Sequence, residues 1–132
     1  MSNFGFVYCL SNSCMPGVLK IGMTHRSPMQ RCQELSSSTS APAPFTLLCY
    51  GEVMLPRDAE LYLHEAFSDE RISGSREFFK ASFESVSTLI QENTEHFCMT
   101  DAGNKVLFDE IGCKFNPREP FLRLVASAGR SV

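Results

Sequence analysis

The chain has no tryptophan, and none of its apolar stretches runs beyond about five residues. A bilayer-crossing helix needs about 20 predominantly apolar residues, so no membrane span is expected. The opening Met1-Ser2-Asn3 carries no basic stretch and no long apolar one follows it, so no secretory signal is read there. Cysteine is not scarce, but paired cysteine is. Cys9, Cys14, Cys32, Cys49, Cys98 and Cys113 include no CxxC pair, which argues against a zinc site. Free thiols in a reducing cytoplasm are the expectation, with Cys9, Cys32 and Cys49 lying in apolar patterns as small core residues. Positive charge is also in short supply, 12 Lys and Arg against 15 Asp and Glu, for a net charge of −3. Phosphate neutralisation dominates nucleic-acid affinity and usually shows as a basic domain. Residues 1–56 have three bases and two acids, residues 57–80 four and six, and residues 81–132 five and seven. Any phosphate-facing surface is therefore small and built mainly from the first of these segments.

What is present describes one domain. At 132 residues the chain is long enough for an ordinary core, and 43% hydrophobic with 20% charged residues is the balance of a folded globular protein. Eleven Phe and no Trp give that core a Phe/Leu/Val character. Alternation predicts a strand over residues 5–10, a loop rich in turn formers over 11–17, and a second strand over 18–23. In the second strand Leu19, Ile21 and Met23 share one face, and Lys20 and Gly22 the other. Ser27-Pro28 supplies a helix cap and a first-turn proline, followed by Met29, Cys32 and Leu35 as an inner stripe. Residues 45–54 read as the most hydrophobic strand and so as the central one. Helices are predicted over 59–67 and, from Phe83, Val86, Leu89 and Ile90, over 81–97. Glu77-Phe78-Phe79 reads as a short strand or a docked extended segment. Val106, Leu107, Phe108 and Ile111 suggest another short helix, with a loose end over 126–132. The order β-β-α-β-α-(β)-α predicts a small α+β domain with a three-stranded sheet, mixed or antiparallel, flanked by helices. Residues 5–80 form its core and 81–132 a helical extension, within a single domain spanning 1–132.

The motifs that carry chemistry are spaced along the first 80 residues. Phe6-Val7-Tyr8 closes the first strand. Leu19-Lys20-Ile21-Gly22-Met23-Thr24 forms the second, with His25, Arg26 and then Arg31 and Glu34 after it. Ala59-Glu60-Leu61 and Leu63-His64 lie on a later helix, followed by Arg76-Glu77-Phe78-Phe79. This set resembles the GIY-YIG nuclease superfamily, and within it the phage-enriched branch that reads KIG in place of YIG and has a downstream REFF-like motif. Phe6 stands where that family begins its first motif with glycine, Lys20 stands for a tyrosine, and the step from Lys20 to Arg31 is one residue longer than usual. The resemblance implies a metal-dependent endonuclease acting on DNA, with Mg²⁺ or Mn²⁺ as cofactor and a phage or mobile-element setting.

Under that resemblance Tyr8 is the general base, activated by Lys20 as an ammonium or as the acceptor of its proton. Arg31 clamps phosphoryl oxygens, and Glu60 holds the metal. His64, four residues after Glu60, is a supporting partner or a proton shuttle. Thr24, His25 and Arg26 approach substrate phosphate, and Gly22, Arg76, Glu77 and Phe78 are structural motif positions. Plainer readings stand beside these. Tyr8 shares parity with Phe6 and Leu10 and suits a core tyrosine, while Lys20 suits an edge lysine facing solvent. Glu60 and His64 suit a solvated helix face, and Arg76 suits a carboxylate partner with Phe78 and Phe79 filling the core. The alternative function is a weak or inactive module that binds nucleic acid or protein. Its partner surface, or a homo-oligomer contact, would be the apolar residues of 83–90 and 106–111.

Overall fold

A computed structural model describes residues 4–112. The alternation in the first 24 residues produces two strands, β1 (Gly5–Asn12) and β2 (Leu19–Thr24). Helix α1 (Pro28–Ser36) starts where the sequence placed it. The Ser27 hydroxyl accepts the Gln30 N–H at 3.4 Å, and Pro28 occupies the first turn, where no N–H is needed. Next come β3 (Phe45–Val53), α2 (Pro56–Ala66), β4 (Phe78–Phe79), α3 (Phe83–Glu92), β5 (Glu95–Met99) and α4 (Asp101–Gly112).

The α+β class holds, but the sheet has five strands rather than three, in the order β4-β2-β1-β3-β5, with every pairing antiparallel. The central strand is β1, and β3 lies one place from the edge. The expected long helix over 81–97 stops at Glu92. Asn93 and Thr94 turn their side chains back onto the carbonyls of Leu89 (2.8 Å) and Ile90 (2.7 Å), which satisfies orphaned acceptors and releases the chain into β5. Residues 81–112 are thus not a helical extension alone, since β5 is part of the sheet.

Two cores form, one on each sheet face. Tyr8, Leu10, Cys32 and Leu47 cluster beneath α1. Val7, Cys9, Ile21 and Leu48 meet Leu63 of α2, Phe67 just after it, and Phe83, Val86 and Ile90 of α3 on the other. Helix α4 adds Val106 and Leu107 to this second core. It approaches β3 closely because a Cβ at Gly103 would collide with the Leu48 carbonyl. Glu110 of α4 accepts the N–H groups of Phe83 (2.6 Å) and Glu84 (2.9 Å), capping α3 from outside its own sequence. Of the apolar residues expected to offer a partner surface, Phe83, Val86, Leu89, Ile90, Val106 and Leu107 pack in this core, while Phe108 is exposed. Cys9, Cys32 and Cys49 are buried free thiols, as their patterns predicted, and Cys14 and Cys98 are free as well. Cys113 and the end expected over 126–132 lie outside the described residues. Among the described residues no helix is long and apolar enough to cross a membrane.

Candidate functional site

The register of β1 and β2 decides which side chains share a surface. Tyr8 lies opposite Gly22, and Leu10 opposite Lys20. Directly opposed residues of an antiparallel pair project from the same face, so Tyr8 and Lys20 share one, as a joint site requires. Gly22 creates the space: a Cβ there would lie 2.6 Å from the Tyr8 hydroxyl oxygen and 2.7 Å from Cζ, so only glycine admits the ring.

Tyr8 is almost fully buried, at 2% exposure. Loss of solvation pushes its phenol up from the ordinary 10.0 to about 12. The Arg31 guanidinium beside it pulls the other way, while the negative fields of Glu77 and Glu60 add to the rise. Three charged side chains from separate elements or loops therefore act on the Tyr8 phenol. The cation beside the phenol that favours its ionisation is Arg31.

Lys20 is only 6% exposed and so is not an edge lysine facing water. Its Nζ lies 3.0 Å from Glu77 Oε2 and 5.2 Å from the centre of the Phe78 ring. The carboxylate partner in the Arg76-Glu77-Phe78-Phe79 segment is thus Glu77, joined to Lys20, and not one belonging to Arg76, which is exposed and forms no ion pair among the described residues. Phe79 is fully buried, whereas Phe78 is half-buried and stacks on Phe45.

Glu60, on α2, is half-buried. Loss of solvation raises its carboxyl above the usual range, partly offset by the nearby His64 and Lys20. Its carboxylate accepts no hydrogen bond and forms no ion pair among the described residues. A partly desolvated, directly unpartnered carboxylate suits a hard divalent cation, which commonly takes one or two protein carboxylates and fills its remaining positions with water and phosphate. The residues present fit Mg²⁺ or Mn²⁺ on that ground. No group of three or more His, Cys, Asp and Glu forms a larger metal cluster among the described residues.

His64 is 8% exposed, and its Nε2 donates to the Ile21 carbonyl at 2.8 Å, with the ring 5.2 Å from that of Phe79. The carbonyl can only accept, so Nε2 bears the proton. His64 thereby ties α2 to β2. The loop residues expected at phosphate are also engaged in local structure. The Thr24 hydroxyl accepts the Arg26 N–H at 3.1 Å, and His25 Nδ1 donates to the Phe4 carbonyl at 3.3 Å. Arg26 grips both oxygens of Glu34, at 2.7 and 2.6 Å.

Arg31 also reaches Glu34, at 3.3 Å. Glu34, legible in sequence only as a helix charge three residues from Arg31, proves to be shared by both guanidinium groups, which hold its carboxyl below the usual range, Arg26 more strongly. Two cations thus share one anion, and Arg31 also lies beside Tyr8, while Thr24 and His25 are bonded to nearby backbone groups.

The family model of the T5orf172 domain matches residues 5–94, well over half of the chain and a span that takes in α3. This match replaces the GIY-YIG superfamily as the family of the chain: the motifs that resemble it do not establish membership of it. No curated protein and no solved structure matches.

Proposed function

This chain belongs to the T5orf172 domain family, and from that premise we propose that it hydrolyses phosphodiester bonds in DNA with the help of Mg²⁺ or Mn²⁺. The observation that carries the proposal is that the buried Tyr8 hydroxyl has the Arg31 guanidinium beside it and lies in the field of the Glu60 carboxylate, three side chains from three different elements. Such a grouping contains a hydroxyl, a permanent planar cation and an open carboxylate, which are the parts that phosphodiester cleavage requires.

In this reading Arg31 binds a non-bridging phosphoryl oxygen through its fork of N–H groups. Glu60 would hold the cation, which when bound supplies Lewis-acid stabilisation of the leaving oxygen. Tyr8 works as a neutral hydroxyl, because burial keeps it protonated up to about pH 12. It holds the attacking water or a phosphoryl oxygen in line by hydrogen bonding, in place of the expected phenolate base. Lys20 adds positive charge beside the reacting phosphate. A net charge of −3 implies weak substrate binding, with specificity coming from DNA structure or a partner.

The test is cleavage of supercoiled, linear and branched DNA at low salt with Mg²⁺ or Mn²⁺, comparing the native chain with Glu60→Ala and Arg31→Ala. Loss of cleavage in both, with the circular dichroism spectrum unchanged, supports the proposal. Removing a clamp such as Arg31 is expected to cost roughly 10²–10³ in rate. Cleavage untouched by both substitutions overturns it. One observation favours the second reading, a binding module without catalysis: Tyr8 and Lys20 are almost closed off from solvent. DNA binding without cleavage by any of the native preparations would select that reading.

A further inference from the structure

The central strand β1 sends Phe6 and Tyr8 to the same side of the sheet, because alternate residues of a strand share a face. Tyr50 of β3 lies directly opposite Tyr8 and shares that face too. Helix α1 covers one end of it, over Leu10 and Leu47. The other end holds three aromatic rings in a row. Phe6 meets Tyr50 edge-to-face, with ring centres 6.0 Å apart, and Phe4 meets Phe6 in the same manner at 5.5 Å.

These rings are not core. Phe4 and Phe6 join neither buried cluster, and Tyr50 only borders the smaller one. Phe6 and Tyr50 are half-buried, and Phe4 is 37% exposed. Glu52 lies opposite Phe6 on the same face, and its carboxylate is engaged by His96 Nδ1 at 2.8 Å. Aromatic side chains at a surface are stacking partners for nucleic-acid bases, whatever the sequence. Bases within a duplex stack on one another, so only an unpaired stretch presents its faces to such a row.

The row is continuous with the candidate site. Tyr50 is the cross-strand neighbour of Tyr8, and Phe6 is its neighbour along the strand, about 6.5 Å away at the usual rise. Arg31 lies beside that same Tyr8. We propose that Phe4, Phe6 and Tyr50 form a stacking platform for unpaired bases, and that the substrate is DNA with a single-stranded stretch beside the cleaved phosphate. This rests on the phosphodiester-cleaving reading above and names the class of DNA its site accepts. Stacking also gives a chain of net charge −3 a hold on DNA that does not depend on many phosphate contacts.

The experiment measures binding of a short labelled oligothymidine, and of a duplex of the same length, by fluorescence anisotropy at low salt without divalent metal. The chains compared are the native one, Phe4→Ala, the double variant Phe6→Leu/Tyr50→Leu, and Phe108→Leu, which alters an exposed aromatic of α4. Proton spectra of the native chain are recorded with the unlabelled oligonucleotide. The native chain is expected to bind the single strand at least fivefold more tightly than the duplex, with the ring protons of Phe4, Phe6 and Tyr50 moving upfield. Phe4→Ala and the double variant each weaken single-strand binding at least fivefold, the scale of one lost stacked base. Their duplex binding, and all binding by Phe108→Leu, stay within twofold of native. Phe4 is exposed and lies outside both cores, so Phe4→Ala decides the matter should the double variant fail to fold.

Equal native affinity for single strand and duplex, or single-strand binding unchanged in Phe4→Ala, overturns the platform and leaves the cleavage reading intact. Equal weakening by Phe108→Leu overturns it as well. Platform-dependent binding of the single strand, with no cleavage of linear, supercoiled or branched DNA in Mn²⁺, supports the platform and overturns the cleavage reading.

Discussion

The Tyr8 hydroxyl is the most informative atom group in the molecule, because its surroundings decide what it can do. Burial raises its ionisation to about pH 12 from 10.0, so the native state holds this proton after the unfolded chain has released it. Stability must then fall as pH rises between those values, by on the order of 2 kcal/mol from this one group. Tyr50 is also raised, first through its contact with Cys98, and adds to the fall in the same direction. Urea unfolding of the native chain and Tyr8→Phe, compared near pH 9 and pH 11, should show a shallower loss in the variant. A second residue-scale prediction concerns Gly22, where a methyl group would meet the phenol ring at 2.6 to 2.9 Å. Gly22→Ala should cost roughly 1–3 kcal/mol through overpacking. Displacement of the hydroxyl should also lower cleavage by about 10²-fold, since an ångström of misplacement is enough for that. Denaturant midpoints and single-turnover rates measure the two effects separately.

At the scale of elements, legibility followed the range of the interaction. The start of α1 was readable because Ser27 and Pro28 act on backbone groups within one turn. The end of α3 was not: Phe97 extends its apolar spacing past Glu92, and the side-chain turns of Asn93 and Thr94 look in sequence like ordinary polar residues. Glu110 was equally hidden, since it caps α3 across 26 and 27 positions of sequence. Glu110→Gln, which keeps shape but removes the charge, should destabilise the fold by about 1 kcal/mol. Glu110→Ala should cost about 1–3 kcal/mol, because the N–H groups of Phe83 and Glu84 are then left without their acceptor. Hydrogen exchange at those two amides is the direct measurement, and protection should fall there before it falls in β1. Among the candidate residues, the shared face of Tyr8 and Lys20 was a requirement in sequence, and the β1–β2 register meets it. The partner of Lys20 was not, because a two-residue edge strand leaves almost no periodic signal.

At the scale of the whole molecule, charge and burial set the terms. A net charge of −3 gives little overall attraction to DNA, so in the proposed reading the phosphate contact falls to Arg31. Affinity for DNA should be modest and should fall with added salt along a shallow slope, because few phosphates are neutralised. Fluorescence anisotropy with a labelled duplex between low and physiological salt checks this. The family match spans β1 through α3, so it includes every residue of the candidate site, while β5 and α4 complete the sheet edge and second core beyond it. Sequence periodicity found the class of fold. It did not find the family, because short motifs of two or three residues are shared more widely than the whole pattern of 90 positions that the family model weighs.

The central claim is that the open carboxylate of Glu60 makes this grouping a metal-dependent catalytic site. The most direct measurement is the single-turnover rate of supercoiled-DNA nicking at saturating Mn²⁺ for the native chain and Glu60→Gln, which keeps the shape of the side chain and removes its charge. The account predicts nicking by the native chain and a loss of at least about 10²-fold in the variant, with thermal stability preserved. Equal rates in the two chains, or no nicking by a native chain that binds Mn²⁺ at Glu60, would contradict it.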